Sequence, residues 1–121
     1  MGNFKELRVW RRGVALATDI YRSTKKMPFA KDYGLSHQIQ RAAVSISSNI
    51  VEGDERGTNK ESIRSFHIAK GSAAEVITQL NIAFNIDYID KSTLEQLEGE
   101  AEIIRAGLKK LIQVRGGKKS D

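Results

Sequence analysis

Ser45, Ser48, Asn49 and Glu52 recur at helical spacing within the stretch from Tyr33 to Gly57, and they are the first residues to test for chemistry. A serine becomes a nucleophile only with a base within hydrogen-bond reach of its hydroxyl. The chain has two histidines, His37 and His67, and no cysteine. His37 sits several turns away along the same predicted helix, too far to act as its base. A zinc site would need carboxylates beside those histidines, and no His-x-x-x-His or Glu-x-x-His pair occurs on any predicted helix. A di-iron bundle is disfavoured for the same reason. Gly53 and Gly57 bracket a loop, yet their spacing matches neither a P-loop nor a dinucleotide fingerprint, and no strand precedes them. The expectation is a protein that is not an enzyme and that takes no metal and no cofactor.

The polar residues then need another explanation. Beside them runs an apolar stripe, Leu35, Ile39, Ala42, Ala43, Ile46 and Ile50, whose steps of three and four trace one side of a helix. A matching polar stripe, Ser65, Ser72, Glu75 and Gln79, occurs on the next predicted helix. Exposed helix sides usually carry Lys and Glu, so rows of short hydrogen-bonding residues suggest a covered side. In one account Asn49 and Glu52 bond to Ser72, Glu75 or Gln79 and fix helix register. In the other, the same residues with Ser45 line a channel or a subunit interface. Trp10 and Tyr21 fall on the apolar side of the first helix and read as core or interface anchors rather than as base-stacking platforms.

The positioning elements can be read in order. Asn3 to about Met27 is predicted helical, with Asn3 and Glu6 as an approximate capping box. Phe4, Leu7, Trp10, Val14, Ala17, Tyr21 and Thr24 form its apolar side. Pro28, which has no amide hydrogen, stops it. The second helix spans about 33–53 and ends at Gly53. The third spans about 58–87, opening on the capping box Thr58-Asn59-Lys60-Glu61. Gly71 and neighbouring alanines there leave room for a close helix neighbour. The fourth spans about 91–114, with Ser92-Thr93-Leu94-Glu95 as its capping box and Leu94, Leu97, Ala101, Ile104, Leu108 and Leu111 as its seam. Residues 116–121 are expected to form a disordered basic tail. Four amphipathic helices on short loops within residues 1–115 predict an all-α fold, an antiparallel up-down-up-down four-helix bundle.

With 121 residues, 40% of them apolar, the chain suffices for one domain with its own core. No apolar run approaches the ~20 residues that cross a bilayer, so no membrane association is expected. The segment MGNFKELRVWRRG has no apolar h-region, and Glu6 stands where a myristoylation signal has Ser or Thr. A cytoplasmic location is the expectation. Charge is uneven: residues 1–50 hold nine Lys/Arg against three Asp/Glu, while residues 51–121 hold eleven against twelve. Residues 87–102 hold one base and six acids, and residues 103–119 hold six bases and no acid. Basic segments could face a polyanion such as nucleic acid. In the fourth helix, acids early and bases late could equally match the helix dipole.

Tyr33-Gly34-Leu35, Gln38, Arg41-Ala42-Ala43-Val44-Ser45-Ile46, Ser48-Asn49-Ile50 and Glu52-Gly53 resemble the signature of the bacterial four-helix-bundle proteins. These are also called the 23S rRNA intervening sequence proteins and were formerly labelled a ribosomal protein family. The similarity extends through Leu7, Trp10, Ile20-Tyr21, Ile68-Ala69, Gly71-Ser72, Glu75, Gln79-Leu80 and Tyr88-Ile89, over about residues 4–112. The chain departs from the pattern at Ser47, where proline is frequent, at Gln40, where a base is common, and at Glu55, where glycine often precedes Arg56. The resemblance implies a ring-like homo-oligomer, a pentamer, with an RNA role supposed because some relatives are encoded inside insertions in large-subunit ribosomal RNA genes.

The expected function is therefore a non-enzymatic oligomer that binds RNA or another nucleic acid through a basic surface. Arg8, Arg11, Arg12, Arg22, Lys25, Lys26 and Arg41 are the expected phosphate contacts. The alternative is an oligomeric scaffold for a protein partner, with no nucleic-acid role.

Overall fold

The computed structural model describes residues 4–56 and 58–116, apart from the Glu6 side chain. These contain four long helices and no strand: α1 (Arg8–Thr24), α2 (Tyr33–Glu55), α3 (Asn59–Asn85) and α4 (Lys91–Gly116). Single 3₁₀ turns, Phe4–Glu6 and Phe29–Lys31, precede α1 and α2. Asn3, Gly57 and the predicted tail beyond Gly116 lie outside the described residues. The helices pack as a bundle in which α2 contacts α1 and α3, and α4 contacts α3 and α1.

Each helix end has an identifiable cause. Phe4 sets its ring edge-on to Trp10 at 5.4 Å, and the Leu7 amide donates to the Phe4 carbonyl. That fold-back makes residues 4–6 a separate turn, so α1 starts later than the periodicity predicts. Asp32 caps α2 by accepting from the Leu35 amide at 3.0 Å. Thr58 caps α3 through the Glu61 amide at 3.2 Å, as the capping box requires. At the far end of α3, Asp87 takes a positive φ of 67° and the Tyr88 amide returns to the Ala83 carbonyl at 2.8 Å, the reversal that satisfies orphan carbonyls. Asp90, rather than Ser92, caps α4, accepting from the Thr93 amide at 2.8 Å.

The core combines Ile39, Ala43, Ile46 and Ile50 of α2 with Phe66, Ala69, Ala73, Val76 and Leu80 of α3, and with Leu97, Ala101, Ile104 and Leu108 of α4. Removal of these side chains from water is the main force holding the helices together. The first helix differs from expectation. Its buried residues are Gly13, Leu16, Ile20 and Thr24, whereas Val14 and Tyr21 stay about two-fifths exposed, at 39% and 40%. The missing side chain at Gly13 explains the rotation: a Cβ there would lie 2.7 Å from Ser47 Oγ. That close approach to α2 turns the Leu16–Ile20 side inward.

Gly53 also behaves differently from its predicted role. The helix runs past it to Glu55, and Gly53 is buried. A Cβ would meet the Phe66 ring at 2.4 Å. Glycine stands here because α2 and α3 cross closely, not because the helix must stop.

Candidate nucleic-acid interface

Arg8, Arg11 and Arg22 on α1, Lys25 and Lys26 in the turn after it, and Arg41 on α2 are exposed to solvent. Their electrostatic states differ. Arg12 is half-buried and directs Nη1 to both carboxylate oxygens of Glu100 on α4, at 3.1 and 3.3 Å. Its charge is compensated within the fold, which separates it from the other expected phosphate contacts. Arg22 stands 3.8 Å from Asp19 in a loose pairing. Lys26 lies near Asp90, whose carboxyl is held below its ordinary range by hydrogen bonds from Thr93, with the ammonium adding to the effect. Arg11 donates to the Lys5 carbonyl at 3.1 Å. Among the described side chains, Arg8, Arg11, Lys25 and Arg41 make no ion pair.

Of the acids of α4, Glu98 and Glu100 reach other helices and Glu102 pairs within α4. None falls in the first turn, where a dipole effect is concentrated. Glu100 holds Arg12, Glu98 accepts from Asn81 Nδ2 at 2.9 Å, and Glu102 pairs with Arg105 at 2.9 Å.

Three residues of the two polar stripes, Ser45, Glu75 and Gln79, line a groove of about 570 Å³ between α2 and α3. Its walls include Gln38, Arg41 and Ser45 on one side and Gly71, Glu75 and Gln79 on the other. Ser45 and Ser72 share a hydrogen bond of 2.8 Å across the helix pair. Asn49 Nδ2 donates back along α2 to the Ser45 carbonyl at 2.9 Å and to its hydroxyl at 3.0 Å. Glu52 pairs with Arg56 on its own helix at 2.8 Å. The crossing bond expected from Asn49 or Glu52 is thus made by Ser45, because two short hydroxyls meet where the helices are close. Gln79 Oε1 is buried without a partner among the described residues. A Cβ at Gly71 would meet nothing within 4 Å, so the close neighbour its glycine suggested is not another helix of this chain.

Trp10 is half-buried beneath Phe4, and Tyr21 lies at the bundle edge. Neither is in the centre of the core.

Two clusters were missed by reasoning on spacing. At one end, Asp54 is buried and accepts from Arg115 Nη2 at 2.9 Å, while that guanidinium lies 5.4 Å from the Phe66 ring centroid. The second oxygen of Asp54 has no partner among the described residues. No local pattern could reveal a pair whose members lie 61 residues apart. At the other end, Tyr88 donates its hydroxyl to Asp32 at 2.9 Å. The Leu35 amide and this phenol hold the Asp32 carboxyl below its ordinary range, and the same bond pushes the Tyr88 phenol up. Beside Asp32 begins a cavity of about 370 Å³ lined by Thr24, Lys25, Tyr33, Ser36, His37 and Gln40. Tyr33 and His37, one helical turn apart, lie off the apolar seam, and that spacing was the available signal.

Among the described residues, no group of three His, Cys, Asp or Glu is placed to hold a metal ion, and no helix is long and apolar enough to cross a membrane.

Residues 5–110 match the family described as the 23S rRNA-intervening sequence protein. No curated protein matches the chain. Its fold is similar to a crystal structure from Bacteroides thetaiotaomicron, a protein of unknown function from the S23 ribosomal protein family, at 24% identity and a TM-score of 0.81. The alignment covers 87% of this chain and 95% of the other.

Proposed function

Because the chain belongs to the family of 23S rRNA-intervening sequence proteins, we propose that it is a non-enzymatic cytoplasmic bundle that assembles into a ring-like pentamer and binds structured RNA. The observation that carries the reading is a set of exposed cations, Arg8 and Arg11 on α1, Lys25 just after it and Arg41 on α2, that lack ion-pair partners among the described side chains. Phosphate contacts of this kind set affinity through counterion release and make it salt-dependent. Repetition around an oligomer multiplies a weak site on each subunit.

The antiparallel up-down-up-down order is supported by the register of neighbouring helices. Gly13 lies against Ser47 while Thr24 bonds Gln40, and Ser45 bonds Ser72 while Gly53 lies against Phe66. In each pair the residue numbers rise along one helix as they fall along the other. Assembly is supported by the partly exposed Val14 and Tyr21 on α1 and Val44 on α2, apolar surface that a second subunit would cover.

Binding of a structured RNA, followed by fluorescence anisotropy across a salt series, tests the function. Affinity should fall steeply with salt, and Arg8→Glu with Arg11→Glu should weaken it further at every salt concentration. No binding at low salt removes the reading. The native particle mass, taken after nuclease treatment, tests assembly: a lone chain at every loading concentration removes the ring.

A scaffold for another protein is the second reading. It is favoured by Ile68 and Ile82 on α3 and Ile86 just after it, each nearly half exposed. A stoichiometric protein partner that survives nuclease treatment would decide for it.

A further inference from the structure

Tyr33 is the most exposed large apolar side chain among those described, at 82%. Such exposure is ordinarily limited by the cost of leaving an aromatic ring in water. The fold makes no use of this ring. The described contacts give it no aromatic neighbour and no hydrogen bond, whereas Tyr88 packs on Phe29 at 5.2 Å and donates to Asp32. Yet Tyr33 is not on a mobile loop. It is the first residue of α2, next to the Asp32 cap that bonds both Leu35 and Tyr88. The backbone beneath the ring is therefore held from two elements.

The cavity beside the ring supplies what a nucleotide would need. Lys25, exposed and without an ion pair among the described side chains, lines it together with His37. Gln40 donates Nε2 to Thr24 Oγ1 at 2.8 Å, which orients the amide and leaves its carbonyl oxygen as an acceptor. At about 370 Å³ the space is at the small end of ligand sites, which run from roughly 300 to 1,000 Å³.

We infer that this α1–α2 corner binds one unpaired nucleobase of an RNA strand, with the base stacked on Tyr33, the adjacent phosphate held by Lys25 and His37, and the base edge met by Gln40. The inference rests on the nucleic-acid reading above and names which nucleotides that surface selects. Bases within a duplex are stacked on each other and cannot reach a ring lying on a helix surface, so the site requires a loop, bulge or free end. Aromatic stacking tolerates any base, because each has a π-face. The cations of α1 then continue the phosphate track on the side that leads away along that helix.

The test compares a short single-stranded oligoadenylate with a blunt RNA duplex of the same length, both at low salt, by fluorescence anisotropy on the full chain. Tyr33→Ala should weaken oligoadenylate binding about tenfold, within the range that loss of one base-stacking contact produces. Tyr33→Phe should keep wild-type affinity, and duplex binding should be unchanged in both variants. Equal losses on single strand and duplex, or no loss on either, overturn the stacking site while leaving the basic surface intact. A change in native particle mass on Tyr33→Ala also overturns it, because the ring would then belong to a subunit contact. If the wild-type protein binds neither RNA, the nucleic-acid reading fails and the inference falls with it.

Discussion

The two ends of α2 treat polar groups in opposite ways. At its C-terminal end Asp54 is buried, with its side chain only 2% exposed, and is tied to Arg115. Gly53 beside it lets the Phe66 ring lie directly on the helix backbone. At its N-terminal end Tyr33, His37 and Arg41 stand in solvent, while Asp32, Ser36 and Gln40 bond to Tyr88, Phe29 and Thr24. One helix therefore contains an end that locks the bundle and an end that stays available. The difference follows from what each end faces: at Gly53 α2 meets α3 and the end of α4, whereas around Tyr33 its described neighbours are the end of α1, the Phe29–Lys31 turn and Tyr88.

That contrast can be broken by substitution. The largest effect is expected from Arg115→Ala, which leaves the Asp54 carboxylate buried and unpaired. Removal of one partner of such a pair costs about 3 kcal/mol, measurable as a fall in unfolding free energy in urea. The opposite end should tolerate a comparable truncation, and Tyr33→Ala should leave that free energy within error of wild type. A loss at Tyr33 equal to that at Arg115 would abolish the distinction.

Glycines sharpen it next. Gly53→Ala drives a Cβ into the buried Phe66 ring and should cost about 2 kcal/mol by overpacking. Gly71→Ala meets open space and should instead stabilise α3 by about 0.5–1 kcal/mol, the helix-propensity gain of alanine over glycine. Equal signs for the two would show that propensity rather than packing decides both positions.

Ion pairs should follow burial in the same way. Both members of the Arg12–Glu100 pair are more than one-third exposed, and solvent screening limits such contacts. Arg12→Ala should cost less than about 1 kcal/mol, well below Arg115→Ala.

The smallest effect is expected in acid. In the folded chain the Asp32 carboxyl sits below its ordinary value of 3.8, because the Leu35 amide and the Tyr88 hydroxyl favour its charged form. A depressed folded value means the stabilisation is complete above the ordinary value and is lost as pH falls through the lowered one. Asp32→Asn should therefore flatten the acid side of a thermal-midpoint titration below the ordinary carboxylate range. An unchanged acid limb would show that this cap carries no linked proton.

Much of the bundle was readable in advance. The steps of Ile39, Ala43, Ile46 and Ile50 named the buried side of α2, and Thr58 with Glu61 named the start of α3, since both signals are local. The face of α1 was misread for an equally physical reason. Trp10, Val14 and Tyr21 outweigh Gly13, Leu16 and Ile20 in apolar mass, but contact with Ser47 through Gly13 decides which side turns in. The polar stripes were visible as stripes, yet only the packed pair reveals that Ser45 and Ser72 make the crossing bond while Glu52 turns back to Arg56.

Helical periodicity, caps and the lopsided charge are properties of neighbouring residues, so the order of amino acids carries the helices, their ends and the basic character of the first half. Which cations remain free is another matter. Arg12 is neutralised by a glutamate 88 residues away, Asp54 is paired with an arginine from the last helix, and Tyr33 is left in water because no described element covers it. These outcomes depend on distances between segments remote along the chain, and packing alone sets them.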